Sequence, residues 1–87
     1  MNEFDLIISS PVKKLFEGKA YSVSLPGKVG RFTILPQHAP LLAILHTGEI
    51  RVKDTSGEKI FTIERGFVET HGNKVSVFVR TKPAALE

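Results

Sequence analysis

Hydrophobic and polar residues alternate with a period of two along most of the chain. The alternation is clearest around four sets of apolar residues: Phe4, Leu6 and Ile8; Tyr21, Val23 and Leu25; Ile50 and Val52; and Val75, Val77 and Val79. Successive side chains of a β-strand point to opposite faces, so each run has one face to bury and one for solvent. Ile7 and Phe78 are apolar residues on the polar side of their runs. The pattern predicts an all-β chain.

Turn-forming residues separate these runs at short intervals. They are Ser10-Pro11, Glu17-Gly18, Pro26-Gly27, Gly30, Pro36, Gly48, Ser56-Gly57, Gly66 and Gly72-Asn73. Such punctuation favours antiparallel strands in a sandwich or a barrel. Two hairpins are predicted, one pairing residues 49–53 with 59–64 and one pairing 67–70 with 75–80. In the second, the glycine and asparagine of the turn supply the positive φ that tight hairpins need.

The run 41–45, Leu-Leu-Ala-Ile-Leu, is apolar throughout. Periodicity does not distinguish a buried strand from a helical segment in so short a run. Pro40 before it and Gly48 after it leave too little length for a stable helix. We therefore predict a strand that is buried on both faces.

The composition fits a single small domain. The chain has 87 residues, no cysteine and 12 basic against 9 acidic residues, for a net charge of +3. A small positive excess is weak support for a nucleic-acid or membrane partner, and the lack of cysteine removes disulfides and thiolate metal ligands. The apolar run near the amino terminus is too short for a signal peptide. We predict a β-sandwich domain over residues 1–82 and an unstructured tail over 83–87, whose sequence suits an expression-vector scar.

Candidate chemistry is sparse. His38, His46 and His71 are scattered and lack the spacing of metal ligands. The carboxylate pairs Asp54/Glu58 and Glu58/Glu64 fall in and around a predicted hairpin, where solvated charges are the common outcome. The glycines of the turn at 27–30 are not followed by a helix that could receive a phosphate. We predict no catalytic, cofactor-binding or metal-binding residues.

Two other function classes stay open as alternatives. The first is an oligonucleotide-binding β-barrel, but its basic residues are spread over separate turns and strands: Lys13, Lys14, Lys28, Arg31, Arg51 and Lys53. The six phenylalanines mostly occupy the apolar phase, so we expect them in the core and not on a base-stacking face. The second is a small hydrolase, for which no nucleophile–base pair is apparent.

The most specific pattern lies in residues 23–42. It reads Val-Ser-Leu-Pro-Gly at 23–27 and Gly-Arg-Phe-Thr-Ile-Leu-Pro-Gln-His-Ala-Pro-Leu-Leu at 30–42. The two prolines at 36 and 40 stiffen the bend between them. This stretch resembles the epsilon subunit of rotary (F-type) ATP synthases, whose pattern continues from Pro-Gly to Gly-x-Phe-Gly-Ile-Leu-Pro-Gly-His-Ala-Pro-Leu-Leu. Further blocks match in the same order at 15–18, 48–52, 66–69 and 73–77, so the resemblance covers residues 3–80.

The resemblance implies a flattened barrel or β-sandwich of about ten mostly antiparallel strands in two sheets. It also implies a non-catalytic subunit of the central stalk, which bridges the gamma subunit and the ring of c subunits and so couples proton-driven rotation to ATP synthesis. No cofactor and no nucleic acid is implied. Membrane contact would come only through the c-ring, on the cytoplasmic side of the bacterial membrane.

The resemblance also assigns contact residues. The c-ring contact falls on Lys28, Val29, Gly30 and Arg31, and the gamma contact on His38, Ala39, Pro40, Leu42 and Ala43. This chain departs from the family pattern at Arg31, where relatives are often acidic, and at Thr33 and Gln37, where they often have glycine. Many relatives continue as a helical hairpin that this sequence does not contain, so no ATP site and no helix-driven inhibition is carried over.

Overall fold

A computed structural model describes residues 2–81, which contain nine β-strands and no helix. The strands are β1 (Phe4–Ser9), β2 (Lys14–Ala20), β3 (Ser22–Gly27), β4 (Gly30–Ile34), β5 (Leu41–Leu45), β6 (Gly48–Asp54), β7 (Gly57–Ile63), β8 (Arg65–His71) and β9 (Lys74–Arg80). Within this range nothing resembles a long apolar helix that could cross a membrane. The tail predicted at 83–87 lies outside the described residues.

The nine strands form one continuous sheet that curls into two layers. The first layer has the order β2-β1-β9-β8-β5, and the second has the order β4-β3-β6-β7. Among the strand pairs of residues 2–81, the layers are joined by Gly27 with Leu45, where β3 meets β5. Strands β1 and β9 run parallel, and the other strand pairs of residues 2–81 are antiparallel. The all-β sandwich is confirmed, with nine strands where about ten were expected.

The core lies between the two layers and draws on all nine strands. Its buried members are Phe4, Leu6, Ile8, Ala20, Val23, Leu25, Ile34, Leu45, Ile50, Val52, Ile63, Val68, Val75, Val77 and Val79. These are the inward-phase residues of the alternating runs, so burial of one face of each strand stabilises the fold. The domain is flattened, with a shortest dimension of 19 Å.

Both predicted hairpins are confirmed, and each turns through two residues. Strand β6 pairs with β7 around Thr55 and Ser56, and β8 pairs with β9 around Gly72 and Asn73. In the second turn Gly72 has a positive φ of 62°. Asn73 has no positive φ, so the backbone conformation of the turn does not require asparagine at this position.

Two of the predicted turn signals are wrong. Gly18 lies inside β2, and Gly66 lies inside β8. A Cβ on Gly18 would meet only the Phe16 ring, at 3.7 Å. A Cβ on Gly66 would overlap the carbonyl oxygen of Phe78 on the neighbouring strand. Gly66 therefore marks a close approach of two backbones and not a turn.

The prediction that the strand at 41–45 is buried on both faces is wrong. Leu42 is 69% exposed and Ile44 57% exposed, although the strand itself is confirmed. Phe67, expected in the core, is also exposed, at 40%, as is Phe78 on the polar side of its strand, at 43%. These four side chains point outward from the first layer, where no described part of the chain covers them.

Asp54 is not the solvated charge that the sequence suggested, because it is buried at the β6–β7 turn. Its Oδ1 accepts hydrogen bonds from the Ser56 amide and from the Ser56 hydroxyl, both at 2.9 Å. Its Oδ2 accepts one from Lys59 Nζ at 3.2 Å. These hydrogen bonds lower the pKa of Asp54 below the usual aspartate range. The Ser56 hydroxyl has the largest effect, and Lys59 and the Ser56 amide add to it. The Asp54 carboxylate, in its charged form, holds the turn in place.

A pKa lowered by folding makes the stability depend on pH. The native state then binds fewer protons than the unfolded chain, so the contribution of Asp54 is present at neutral pH and disappears in acid. We expect Asp54→Asn to lower the thermal midpoint by the same amount from neutral pH down to about pH 5, and by less below about pH 4. The control is Glu58→Gln, which changes an exposed carboxylate of the same hairpin. A midpoint difference for Asp54→Asn that persists unchanged at low pH would refute this role.

Candidate functional site

The segment assigned to the c-ring forms the tip of the β3–β4 hairpin. Gly27 pairs with Gly30, and Lys28 and Val29 form the exposed two-residue turn between them. A Cβ on Gly27 would lie 2.6 Å from the Gly30 carbonyl oxygen and 2.8 Å from the Phe32 ring. Glycine at position 27 is therefore required for a turn this tight.

Arg31, where relatives are often acidic, does not project freely from this turn. Its Nη1 donates to Ser24 Oγ at 2.7 Å, and its Nη2 donates to the carbonyl oxygen of Glu49. The guanidinium thus links β4 to β3 and β6. Lys28 is left as the cation at the tip of the turn.

The two positions where glycine is frequent in relatives behave differently. Thr33 lies within β4, opposite Ser24, in ordinary strand conformation. Gln37 has a φ of 62°, in the left-handed region where a side chain is strained by about 1–3 kcal/mol. The bend at 36–40 therefore retains the backbone shape that glycine would give.

Hydrogen bonds from strand β8 and from the β8–β9 turn hold this bend in place. The Gln37 amide donates to Asn73 Oδ1 at 2.9 Å. The carbonyl oxygen of Ala39 accepts a hydrogen bond from the buried Thr70 hydroxyl at 3.1 Å. His38 Nδ1 donates to the same carbonyl at 2.8 Å, which orients the exposed ring. Stiffness here comes from these contacts as well as from the prolines.

Asn73 connects three distant segments of the chain. Besides accepting from Gln37, its side chain donates to the carbonyl oxygen of Glu3, and its own carbonyl accepts from the Asp5 amide at 3.0 Å. The amino-terminal strand, the bend and the β8–β9 turn thus meet at one residue. The sequence indicated only a turn residue, because its partners lie 36 and 70 residues away.

We expect Asn73→Ala to lower the free energy of unfolding by about 1–3 kcal/mol, because two hydrogen bonds between segments are lost. Amide hydrogen exchange at Gln37 should accelerate by more than the global change in stability explains. Lys74→Ala, at an exposed position beside the same turn, is the control. Gln37 exchange that follows global unfolding alone would show that Asn73 does not hold the bend.

The structure separates the residues assigned to the gamma contact. His38, Ala39 and Pro40 are exposed on the bend, and Leu42 is exposed on the outer face of β5. Ala43 faces the other way and packs against the core. The outward residue after Leu42 is Ile44, which the sequence analysis did not assign.

Leu42 and Ile44 belong to a larger apolar surface, which we call the apolar stripe: Leu42, Ile44, Phe67 and Phe78. Ile44 pairs with Phe67 across β5 and β8, and Phe67 pairs with Phe78 across β8 and β9. The two phenylalanine rings stack with their centroids 5.0 Å apart. The available sequence signals were the unbroken apolar run at 41–45 and Phe78 on the polar side of its strand.

The apolar stripe adjoins the hairpin tip. The Lys28 amide donates to the Ile44 carbonyl oxygen at 2.9 Å, and the His46 amide donates to the Pro26 carbonyl oxygen at 3.0 Å. Between the tip and β5 lies an open groove of about 580 Å³, lined from both sides. The region predicted to contact the c-ring and the region predicted to contact gamma are therefore neighbours, joined by hydrogen bonds where β3 meets β5.

Titratable side chains are not clustered in this region. Residues 2–81 contain no group of three His, Asp or Glu side chains close enough to hold a metal ion. His38, His46 and His71 are each exposed. The arrangement offers an apolar surface and a polar tip, which suits docking to other proteins.

Comparison with known proteins identifies the family. Residues 3–83 match the family described as ATP synthase, Delta/Epsilon chain, beta-sandwich domain. The chain is 38% identical over 76 residues to an ATP synthase epsilon chain of Leptospira interrogans, covering 87% of this chain and 60% of that one. It is 46% identical over 72 residues to an ATP synthase epsilon chain of Chlorobium limicola, covering 82% of each.

A solved structure supports the fold. The domain superposes on a chain from the Tetrahymena thermophila mitochondrial ATP synthase central stalk and c-ring with a TM-score of 0.76 at 18% identity, covering 87% of this chain and 62% of that one. The strand order, the matched family and the blocks at 23–42 agree with one another, and the resemblance stated from the sequence is confirmed. The chain belongs to the family of ATP synthase delta/epsilon chain β-sandwich domains.

Proposed function

We propose that this chain is a non-catalytic subunit of the ATP synthase central stalk, which bridges gamma and the c-ring and couples proton-driven rotation to ATP synthesis. The observation that carries the proposal is the apolar stripe beside the hairpin tip, on a domain of this family. Two neighbouring surfaces of different chemistry suit two different partners. The central-stalk and c-ring origin of the Tetrahymena structure supports the same assignment.

The c-ring side of the proposal uses the hairpin tip. Lys28 and Val29 are exposed at the turn, and Gly30 follows them at the start of β4. Because the Arg31 guanidinium is hydrogen-bonded to Ser24 and Glu49, it stabilises the turn and is not free to contact the c-ring. The tip would meet the polar loops of the c-ring through Lys28 and Val29. Contact with the membrane would then come only through the c-ring, on the cytoplasmic side of the bacterial membrane.

The gamma side uses the bend and the apolar stripe. His38, Ala39 and Pro40 lie on the bend, and Leu42 continues from it onto the outer face of β5. Ala43, which packs against the core, would support β5 from its inner side, and Ile44 would contact gamma at the surface in its place. Exposed aromatic and branched side chains are what a partner surface buries at the centre of an interface.

The proposed mechanism is a rigid bracket. The β-sandwich is close-packed, so a force applied at the hairpin tip is transmitted to the apolar stripe with little deformation. Once one partner is bound, the other site is held at high local concentration, so two modest interfaces suffice. No cofactor is needed for such a role.

One observation favours the alternative of nucleic-acid binding. Phe67 and Phe78 are exposed on the same face as Arg65 and Arg80, which is the combination that single-strand binding uses. The two rings, however, stack on each other, which occupies one face of each. Filter binding of an oligonucleotide at low and moderate salt discriminates the two functions, because phosphate contacts give steep salt dependence.

Affinity purification of the tagged chain from membranes tests the proposal. We expect gamma and c subunits to be recovered together with the chain. Recovery should survive moderate salt, because the gamma side is apolar. Absence of both subunits from the purified material would contradict the proposal.

A further inference from the structure

Two arginines lie directly opposite each other at one end of the apolar stripe. Arg65 on β8 pairs with Arg80 on β9, and both side chains are exposed. They stand on the same face as the Phe67–Phe78 pair, two residues farther along each strand, or about 7 Å away. Neither guanidinium forms an ion pair with another residue of the described part of the chain.

This arrangement is unfavourable for the isolated domain. Like charges directly opposite on neighbouring strands destabilise a sheet. Two other exposed cations of the first layer have counterions, in the pairs of Lys19 with Asp5 at 2.9 Å and of Lys14 with Glu17 at 2.7 Å. Lys74 on β9 forms no ion pair within the described residues, but it lies opposite Asp5 and not opposite a second basic residue on β1. Arg65 and Arg80 therefore stand out as a concentrated positive charge without an internal counterion.

The arginine pair also borders an open groove of about 550 Å³. On one side the groove is lined by Ile44, Phe67 and Phe78 of the apolar stripe. On the other side it is lined by the turn that starts at Ser9 and includes Pro11. Such a groove, apolar inside and positively charged at its margin, is complementary to a partner surface with an apolar ridge and an acidic side chain beside it.

We propose that Arg65 and Arg80 form a carboxylate-binding site that takes an aspartate or glutamate of the gamma subunit; this rests on the proposed function. Two guanidinium groups offer planar sets of donors that match a carboxylate, and one carboxylate between them removes their mutual repulsion. The pair acts only in the complex, where it fixes the position of gamma along the apolar stripe. In the free domain it disfavours partners without an acidic residue there.

The test compares binding of purified gamma to the wild-type chain and to Arg65→Gln/Arg80→Gln. We expect the thermal midpoint of the variant to equal or exceed that of the wild type, because a repulsion is removed. We expect its affinity for gamma to fall about tenfold or more. The wild-type affinity should decrease between about 50 mM and about 500 mM salt, and the variant should show less of this dependence.

The matched control is Arg51→Gln/Lys53→Gln, which removes two exposed positive charges from β6 in the second layer. We expect it to bind gamma as the wild type does. If the first double variant does not fold, the single variant Arg80→Gln carries the same prediction with a smaller decrease.

The outcomes separate this inference from the proposed function. A wild-type chain that binds gamma and a double-glutamine variant that binds equally well would overturn the arginine site alone. A wild-type chain that does not bind gamma would overturn both. Unchanged gamma binding together with loss of single-stranded oligonucleotide binding in the variant would assign the arginines to phosphate instead.

Discussion

Gly66→Ala is expected to lower the free energy of unfolding by about 2–3 kcal/mol, a large effect for the addition of one methyl group. The new Cβ would overlap the Phe78 carbonyl oxygen and lie 3.0 Å from the Val79 Cα. Both are backbone atoms of the neighbouring strand, so no rotamer change relieves the clash. Strands β8 and β9 would have to separate at the centre of the first layer.

Urea denaturation of two variants measures this effect against a matched control. Gly18→Ala also adds one methyl group to a glycine inside a strand, but there the Cβ would touch only the Phe16 ring at 3.7 Å. We expect Gly18→Ala to change the free energy of unfolding by less than about 1 kcal/mol. Equal effects of the two substitutions would show that the β8–β9 approach is not close.

Ile44→Asp is expected to weaken binding to gamma at least about thirtyfold while the domain stays folded. The side chain is 57% exposed, so the free domain tolerates the charge. In the complex the same charge would be buried in an apolar contact with Phe67 beside it, which is strongly unfavourable.

Titration calorimetry with purified gamma measures the affinity. The control is Ile60→Asp, because Ile60 has a similar exposure of 52% but lies on β7, at the edge of the second layer. We expect the control to bind gamma normally. Equal losses for both variants would point to a general effect of the charge, and no loss for Ile44→Asp would remove the apolar stripe from the gamma interface.

The strands could be predicted from the sequence because one-sided burial imposes a period of two. The inward residues of β1, β3, β6 and β9 follow it, and both hairpins follow from their turn residues. Strand β2 was not predicted, because Gly18 in its middle has the same local signature as a turn. Local sequence does not distinguish a glycine that turns the chain from one that gives space to a neighbour.

The burial of β5 could not be predicted for a different reason. An apolar run has the same pattern whether its outer face is covered by its own domain or is free for a partner. The pattern of residues 41–45 therefore placed Leu42 and Ile44 in the core, although they are exposed, and only the family resemblance assigned Leu42 to a partner contact. At Gln37 and Thr33 the resemblance marked only positions where relatives often have glycine, and the structure shows a positive φ at Gln37 but not at Thr33.

Contacts between distant segments left no signal in the sequence. Asn73 was predicted only as a turn residue, yet its side chain joins Glu3 to Gln37. Arg31 was assigned to a partner, yet its guanidinium bonds to Ser24 and Glu49. The pairing of Arg65 with Arg80 depends on the register of β8 and β9, which only the structure fixes.

The most direct test of the bracket role is proton-driven ATP synthesis by the complex in membrane vesicles, measured with and without this chain. We predict that omission leaves proton flow intact but reduces ATP synthesis to a small fraction, and that adding back the wild-type chain restores coupling while Ile44→Asp does not. An unchanged rate of ATP synthesis in the complex that lacks the chain would contradict the account.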